Sequence, residues 1–142
     1  MDLDFGMAGP AIALGLSIIG SSIGCCIGGM ASHAVMSRVE EGHGLYIGMA
    51  AAPSSQSIYG FILMLLMSRA VLAGTLSPVN ALAIGISAGA AIMCSAIFQG
   101  MVCATGIQAS VKQPAVFGKC FVAIGIIESF ALFAFVFSLL LF

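Results

Sequence analysis

Apolar residues run along the chain in four long blocks, about 8–37, 44–73, 78–110 and 115–142, without period-two alternation. Each block exceeds the ~20 residues that cross a bilayer core and is far too long for a barrel strand, so helices are predicted. The breaks are Arg38-Val39-Glu40-Glu41-Gly42-His43-Gly44, Gly74-Thr75-Leu76-Ser77-Pro78 and Val111-Lys112-Gln113-Pro114. All three are short and rich in turn formers, and short connections make antiparallel neighbours. The pattern predicts an all-α membrane protein of four transmembrane helices in two tandem hairpins, residues 1–73 and 74–142. The first hairpin lies on the second at a constant shift of 72 residues, which puts Gly28 on Gly100, Ala51 on Ala123, Phe61 on Phe133 and Gln56 on Glu128. Two spans per unit mean that both copies enter the membrane in the same direction, a parallel repeat.

Composition sharpens this picture. Apolar residues make up 61% of the chain and charged ones 6%, against ~25% charged in soluble domains. Four basic and five acidic side chains cannot cover a soluble surface of this size, so the missing polar surface faces lipid. A net charge of -1 leaves no basic field for nucleic acid, which is excluded as a partner. The five cysteines are odd in number and lack a CxxC spacing, so neither a disulfide framework nor a zinc site is expected. The N-terminal Met1-Asp2-Leu3-Asp4 is acidic where a signal peptide is basic, and is expected to stay in the mature protein. Arg38, Lys112 and Lys119 flank the first and third loops and only Arg69 approaches the second, which puts both termini outside. His33 and His43, at the end of the first span and in the first loop, are expected to meet headgroups or water, and the nine methionines to fill space. No phosphate-binding loop or catalytic dyad is present, so no enzymatic chemistry is expected.

Glu128 is the most informative residue, because it falls near the centre of the fourth block. A charge at bilayer depth costs on the order of 2.5 to 3.5 kcal/mol even on lenient insertion scales, so the carboxyl must be protonated, paired or bound to a cation. Every Lys and Arg sits at a block end, which leaves a proton or a metal ion as its partner within one chain. The second block carries Ala52-Pro53-Ser54-Ser55-Gln56-Ser57-Ile58-Tyr59-Gly60-Phe61, where Pro53 frees or tilts carbonyls between Met49 and Ala52. That knot reads either as a kink satisfied by its own Ser and Gln side chains or as a collection of oxygen donors on adjoining parts of one helix surface. Gln99, in the third block at comparable depth, favours the second. Oxygens from Glu128, Gln56, Gln99, Ser55 and the Ala52 carbonyl give about five ligands, suited to a small dehydrated monovalent cation. Calcium or magnesium would ask for more carboxylates, so sodium fits better. Gly20, Gly24 and Gly28 in the first block, with Gly85 and Gly89 in the third, repeat at small-xxx-small spacing. They predict tightly packed inner helices, with Phe61, Phe130, Phe133, Phe135 and Phe137 facing outward.

Together, Pro53-Ser54-Ser55-Gln56-Ser57-Ile58-Tyr59-Gly60-Phe61, Gln99-Gly100, Gly106-Ile107-Gln108, Lys112 with Pro114 and Glu128-Ser129-Phe130-Ala131 resemble the duplicated membrane rotor proteolipid of V-type and A-type rotary ATPases, known as subunit K. The resemblance covers essentially the whole chain. It implies a homo-oligomeric rotor ring with glycine-rich helices inside, facing a stator subunit that carries a cationic residue and docking on soluble central-stalk subunits. It also implies Glu128 as the ion-binding carboxylate, Gln56, Gln99, Ser55 and the Ala52 carbonyl as ligands, and Tyr59 as the phenol that holds Glu128 closed. No resident cofactor is implied, only a transported Na+ or, second, H+. The chain departs from the family pattern at Ser54, where Gly is usual, at Ala52, where a bulkier apolar residue is, and at Met101, where Lys can occur. A bacterial or archaeal plasma membrane is the expected location. Two other classes compete: a four-span drug or cation antiporter, disfavoured because Trp is absent and no aromatic in the first span reaches the depth of Glu128, and a non-transporting structural oligomer, which leaves three polar groups at one depth unexplained.

Overall fold

The computed structural model describes residues 5–142; the acidic Met1-Asp2-Leu3-Asp4 stretch lies outside the described residues. The chain forms α1 (Ala8–Met36), α2 (His43–Ala51), α3 (Ser55–Leu72), α4 (Pro78–Lys112) and α5 (Phe117–Ser138). A 3-10 turn over Ala52–Ser54 joins α2 to α3. The four spans are therefore Ala8–Met36, His43–Leu72, Pro78–Lys112 and Pro114–Leu141, within two residues of the boundaries predicted from the apolar blocks.

Local chemistry sets the ends of these spans. Ser77 caps α4 by accepting the Asn80 backbone N–H at 3.2 Å, and Pro78 occupies the first helical position, where no amide hydrogen is needed. At the end of α3, Gly74 takes φ 75°. The N–H of Thr75 then reaches Ala70 O at 3.0 Å and that of Gly74 reaches Val71 O at 3.1 Å, a Schellman closure that only a left-handed residue permits without strain.

The pairing of helices follows from their smallest residues. Gly9 approaches Ala81, Gly24 approaches Ala96 and Gly100, and Gly89 approaches Ala13, so α1 and α4 run parallel in near-equal register. Gly28 against Ala50 and Gly60 against Ser17 make α1 antiparallel to α2 and α3; Gly106 against Cys120 does the same for α4 and α5. The two hairpins thus point the same way. All five glycines expected to pack inner helices make close contacts inside the chain: Gly20 on Met93, Gly24 on Ala96 and Pro53, Gly28 on Ala50, Gly85 on Gly9, and Gly89 on Ala13 and Leu16. Such contacts matter because lipid tails are as apolar as the helices, leaving close van der Waals packing to hold them together.

Two apolar clusters fill the interior. One, nearer the second loop, includes Leu63, Met67, Leu76, Ile84 and Ile92; the other, nearer the first and third loops, includes Val35, Tyr46, Met49, Ile107 and Ile124. Phe61, Phe130, Phe133 and Phe137 face outward as predicted. Phe135 does not: it is partly buried and stacks on Tyr59 with ring centroids 6.1 Å apart. The reason is pairing across helices, since Tyr59 must lie flat between α3 and α5 to reach Glu128, and a flat aromatic covers it. All five cysteines are free.

Candidate ion-binding site

A polar layer lies between the two apolar clusters, and proline chemistry opens it. Pro53 donates no N–H, and the chain tightens into the 3-10 turn at that point. Serine hydroxyls take up the loosened carbonyls: Ser54 Oγ donates to Ala51 O at 2.7 Å and Ser55 Oγ can donate to Ala52 O at 3.0 Å. The kink is therefore satisfied by its own serines, and the Ser55 hydroxyl also reaches across to α5.

Glu128 stands midway along the fourth span, half-buried in the crevice between α3 and α5. Ser55 Oγ lies 2.7 Å from Glu128 Oε1 and the Tyr59 phenol donates to the same oxygen at 3.1 Å. Gln99 Nε2 lies 3.5 Å from Glu128 Oε2 and also donates to Ile124 O at 3.3 Å. The single Ser55 hydroxyl hydrogen can serve either Glu128 or Ala52, so this residue ties the turn carbonyl to the carboxyl group.

Gln56 departs from the sequence expectation. It is fully buried and makes no bond to Glu128; its Nε2 donates to Gln99 Oε1 at 2.9 Å and to Ser95 Oγ at 3.3 Å. Gln99, expected to offer oxygen, turns its nitrogen toward the carboxyl group. The cause is local electrostatics: Glu128 oxygens and the Ile124 carbonyl both face that amide, and acceptors call for a donor. Half a turn of the Gln99 amide would exchange oxygen for nitrogen there. Gln56 Oε1, meanwhile, is buried without a hydrogen-bond partner. An orphaned buried carbonyl carries a cost of ~1–3 kcal/mol, and a cation would relieve it.

Sequence reasoning misses Ser95. Its hydroxyl donates to Ile127 O at 2.8 Å while accepting from Gln56, so it locks α5 to the glutamine pair. In a helix full of Gly, Ala and Ser it reads as a small packing residue. The available signal is its position one turn before Gln99, on the same helix face. Among the described residues no three His, Cys, Asp or Glu side chains are placed to hold a metal ion, so any cation here would be held chiefly by neutral oxygens. His33 is exposed, and His43 is exposed with Nε2 2.7 Å from Val39 O.

Removal of the phenol tests the closed arrangement. A hydrogen bond of this kind is worth ~0.5–1.5 kcal/mol, so Tyr59→Phe should free the Glu128 side chain. Carbodiimide labelling of Glu128, followed by mass spectrometry, should proceed about tenfold faster than in the parent chain.

Two parallel helical hairpins with one carboxyl group midway along the fourth span define a four-span membrane proteolipid. The model of the ATP synthase C-subunit family matches the chain twice, over residues 8–67 and 82–141, and the chain belongs to that family. The second stretch begins two residues later than the 72-residue shift would place it. Over 139 residues the chain is 32% identical to the A-type ATP synthase subunit K of Methanocaldococcus jannaschii, an overlap of 98% of this chain and 62% of that protein. It thus spans less than two thirds of the archaeal relative. It is also 32% identical over 139 residues to the V-type sodium ATPase subunit K of Enterococcus hirae, covering 96% of this chain and 89% of the relative. The chain is a proteolipid of the rotary ATPase kind and an integral membrane protein.

Proposed function

We propose that the chain is the ion-translocating, non-catalytic subunit of a rotor ring, and that it carries Na+ at Glu128. The observation that carries this reading is a carboxyl group midway along the fourth span that gathers Ser55 and Tyr59, with an unpaired, buried Gln56 Oε1 in the same polar layer. Sodium would sit among Glu128, the Ser55 hydroxyl, the Ala52 carbonyl and Gln56 Oε1, with Gln99 Oε1 joining after its amide turns. The printed name of the Enterococcus hirae relative, a sodium ATPase subunit, supports this choice of ion.

Neutralised by its ion, the site can travel through lipid as the ring turns. An empty carboxylate is tolerable only beside a stator subunit whose cationic side chain faces it, so ion exchange and rotation become one process. Glu128 is well placed for that, since its neighbours Gly125, Ile126 and Phe130 lie on the outer surface. Copies of the same chain would complete the ring. Arg38 and Lys112 line a groove of about 300 Å³ between the loop ends of α1 and α4, the surface offered to soluble stalk subunits. The prokaryotic origin of both relatives supports a bacterial or archaeal plasma membrane.

Gln99 Nε2 facing Glu128 favours a second reading, a proton rotor in which both glutamines serve only as hydrogen-bond partners. Equilibrium binding of radioactive sodium to the purified ring decides between them. The sodium reading expects saturable binding of one ion per chain that Gln56→Leu abolishes; no saturable binding overturns it in favour of the proton.

A further inference from the structure

We infer that Ser21, on α1, is a positioning residue for the ion site, acting through the Gln56 amide. Helix register places it there. On the face that α1 turns toward the second span, Ser17 meets Gly60, Gly24 meets Pro53 and Gly28 meets Ala50, and Ser32 Oγ donates to Tyr46 O at 2.8 Å. In each antiparallel pair one residue number rises as the other falls, and the place opposite Ser21 in that series is Gln56.

Hydrogen bonding supplies the second observation. Ser21 is 4% exposed, and its Oγ and Gln56 Oε1 are the two buried side-chain atoms without a partner among the described residues. Serines elsewhere in these helices solve the same problem by bonding back to their own helix, as Ser17 does to Ala13 O at 2.7 Å, Ser68 to Met64 O and Ser110 to Gly106 O. Ser21 has the same option one turn further along and leaves it unused. A donor and an acceptor thus fall at matching levels of one helix contact, each unsatisfied, where a buried hydroxyl and carbonyl rarely stay so. Rotation of the Ser21 side chain, or one bridging water, would join them.

The link has a consequence for the site. Gln56 Nε2 already binds Gln99 and Ser95, so a hydrogen bond on Oε1 fixes which way the amide faces and holds the oxygen in place while the ion exchanges. The hydroxyl can donate to one lone pair of Oε1 and leave the other for a cation. Ser21 therefore sets how strongly the glutamine pair competes for the ion, although α1 itself supplies no ligand. This rests on the ion-site reading of Gln56 and Glu128.

The test compares the parent chain with Ser21→Ala and Ser21→Gly, the latter because the neighbouring Gly20 and Gly24 show that this face accepts glycine. Carbodiimide labelling of Glu128 is measured in assembled protein against sodium concentration and against pH, with Ser22→Ala as the exposed control. Both Ser21 variants should shift the sodium midpoint by about three- to tenfold with assembly unchanged, while Ser22→Ala leaves it in place. Midpoints within a factor of two of the parent in either assembled variant overturn the inference. Where the parent itself shows no sodium effect, the sodium reading fails separately, and Ser21 is judged by the pH profile: a displaced profile upholds its positioning role and an unchanged one overturns it.

Discussion

Glu128→Gln will leave the chain folded and assembled while ion transport by the reconstituted complex falls to background. The substitution keeps volume and keeps an amide oxygen able to accept from Ser55 and Tyr59, whose bonds at 2.7 and 3.1 Å both fall on Oε1. It removes the carboxyl, the group at that depth that can change its charge near neutral pH. A neutral side chain can neither hold a cation with a formal charge nor release a proton, so on the rotor reading every position of the ring becomes equivalent and the direction of rotation loses its coupling to ions. An antiporter built around the same carboxyl would also fail, whereas a scaffold would be indifferent. Retained ion transport in Glu128→Gln would therefore remove the site from the mechanism. Carbodiimide labelling at this position should vanish in parallel.

The second large effect is structural. Gly100→Val should prevent the folded chain from accumulating, because a Cβ at residue 100 would meet the backbone of α1 at Gly24, with Gly24 Cα at 2.5 Å and Gly24 C at 2.7 Å. Backbone cannot rotate aside as a long side chain can, so α1 and α4 must separate, carrying α3 and α5 with them. Overpacking of a well-filled interior ordinarily costs ~1–3 kcal/mol. A clash against main chain belongs at or above the top of that range. Gly15 and Gly29 offer the internal comparison, since a Cβ at either meets nothing within 4 Å inside the chain. Yields of chain in the membrane and its thermal stability in detergent should collapse for Gly100→Val and hold for Gly15→Ala. Equal stability of the two would mean that the α1–α4 contact does not hold the hairpins together.

The spans are legible in the sequence because the membrane permits so little: a long apolar block bounded by Gly, Pro and charge has one way to satisfy its backbone. Glu128, Ser55, Tyr59 and Gln99 are legible because a polar group in such a block is costly and needs a partner, and the structure does bring these four together. Gln56 stands out as a polar residue, but the sequence does not show that its amide nitrogen bonds Gln99 and Ser95 rather than Glu128. Spacing along α3 tells which side chains share a surface; it does not tell that Ser55 and Tyr59 turn toward α5 while Gln56 turns inward to α4. The orientation of the Gln99 amide is likewise out of reach, since it depends on the Ile124 carbonyl supplied by another helix. Ser95 is invisible for a different reason. In helices rich in Gly, Ala and Ser, a hydroxyl that bonds back to its own turn and one that organises a site look alike in sequence. Phe135 passes for a lipid-facing ring because outward-facing phenylalanines surround it, and only the stacking on Tyr59 sets it apart.

The rate at which a hydrophobic carbodiimide labels Glu128 in solubilised protein, followed by mass spectrometry across pH with and without sodium, tests the central claim most directly. The reagent attacks a protonated carboxyl in an apolar setting, so its rate reports what occupies the site. A sodium-carrying rotor predicts labelling that sodium slows at fixed pH and that lower pH restores. Labelling that follows pH alone would contradict the sodium cage, and no labelling at Glu128 under any condition would contradict the rotor itself.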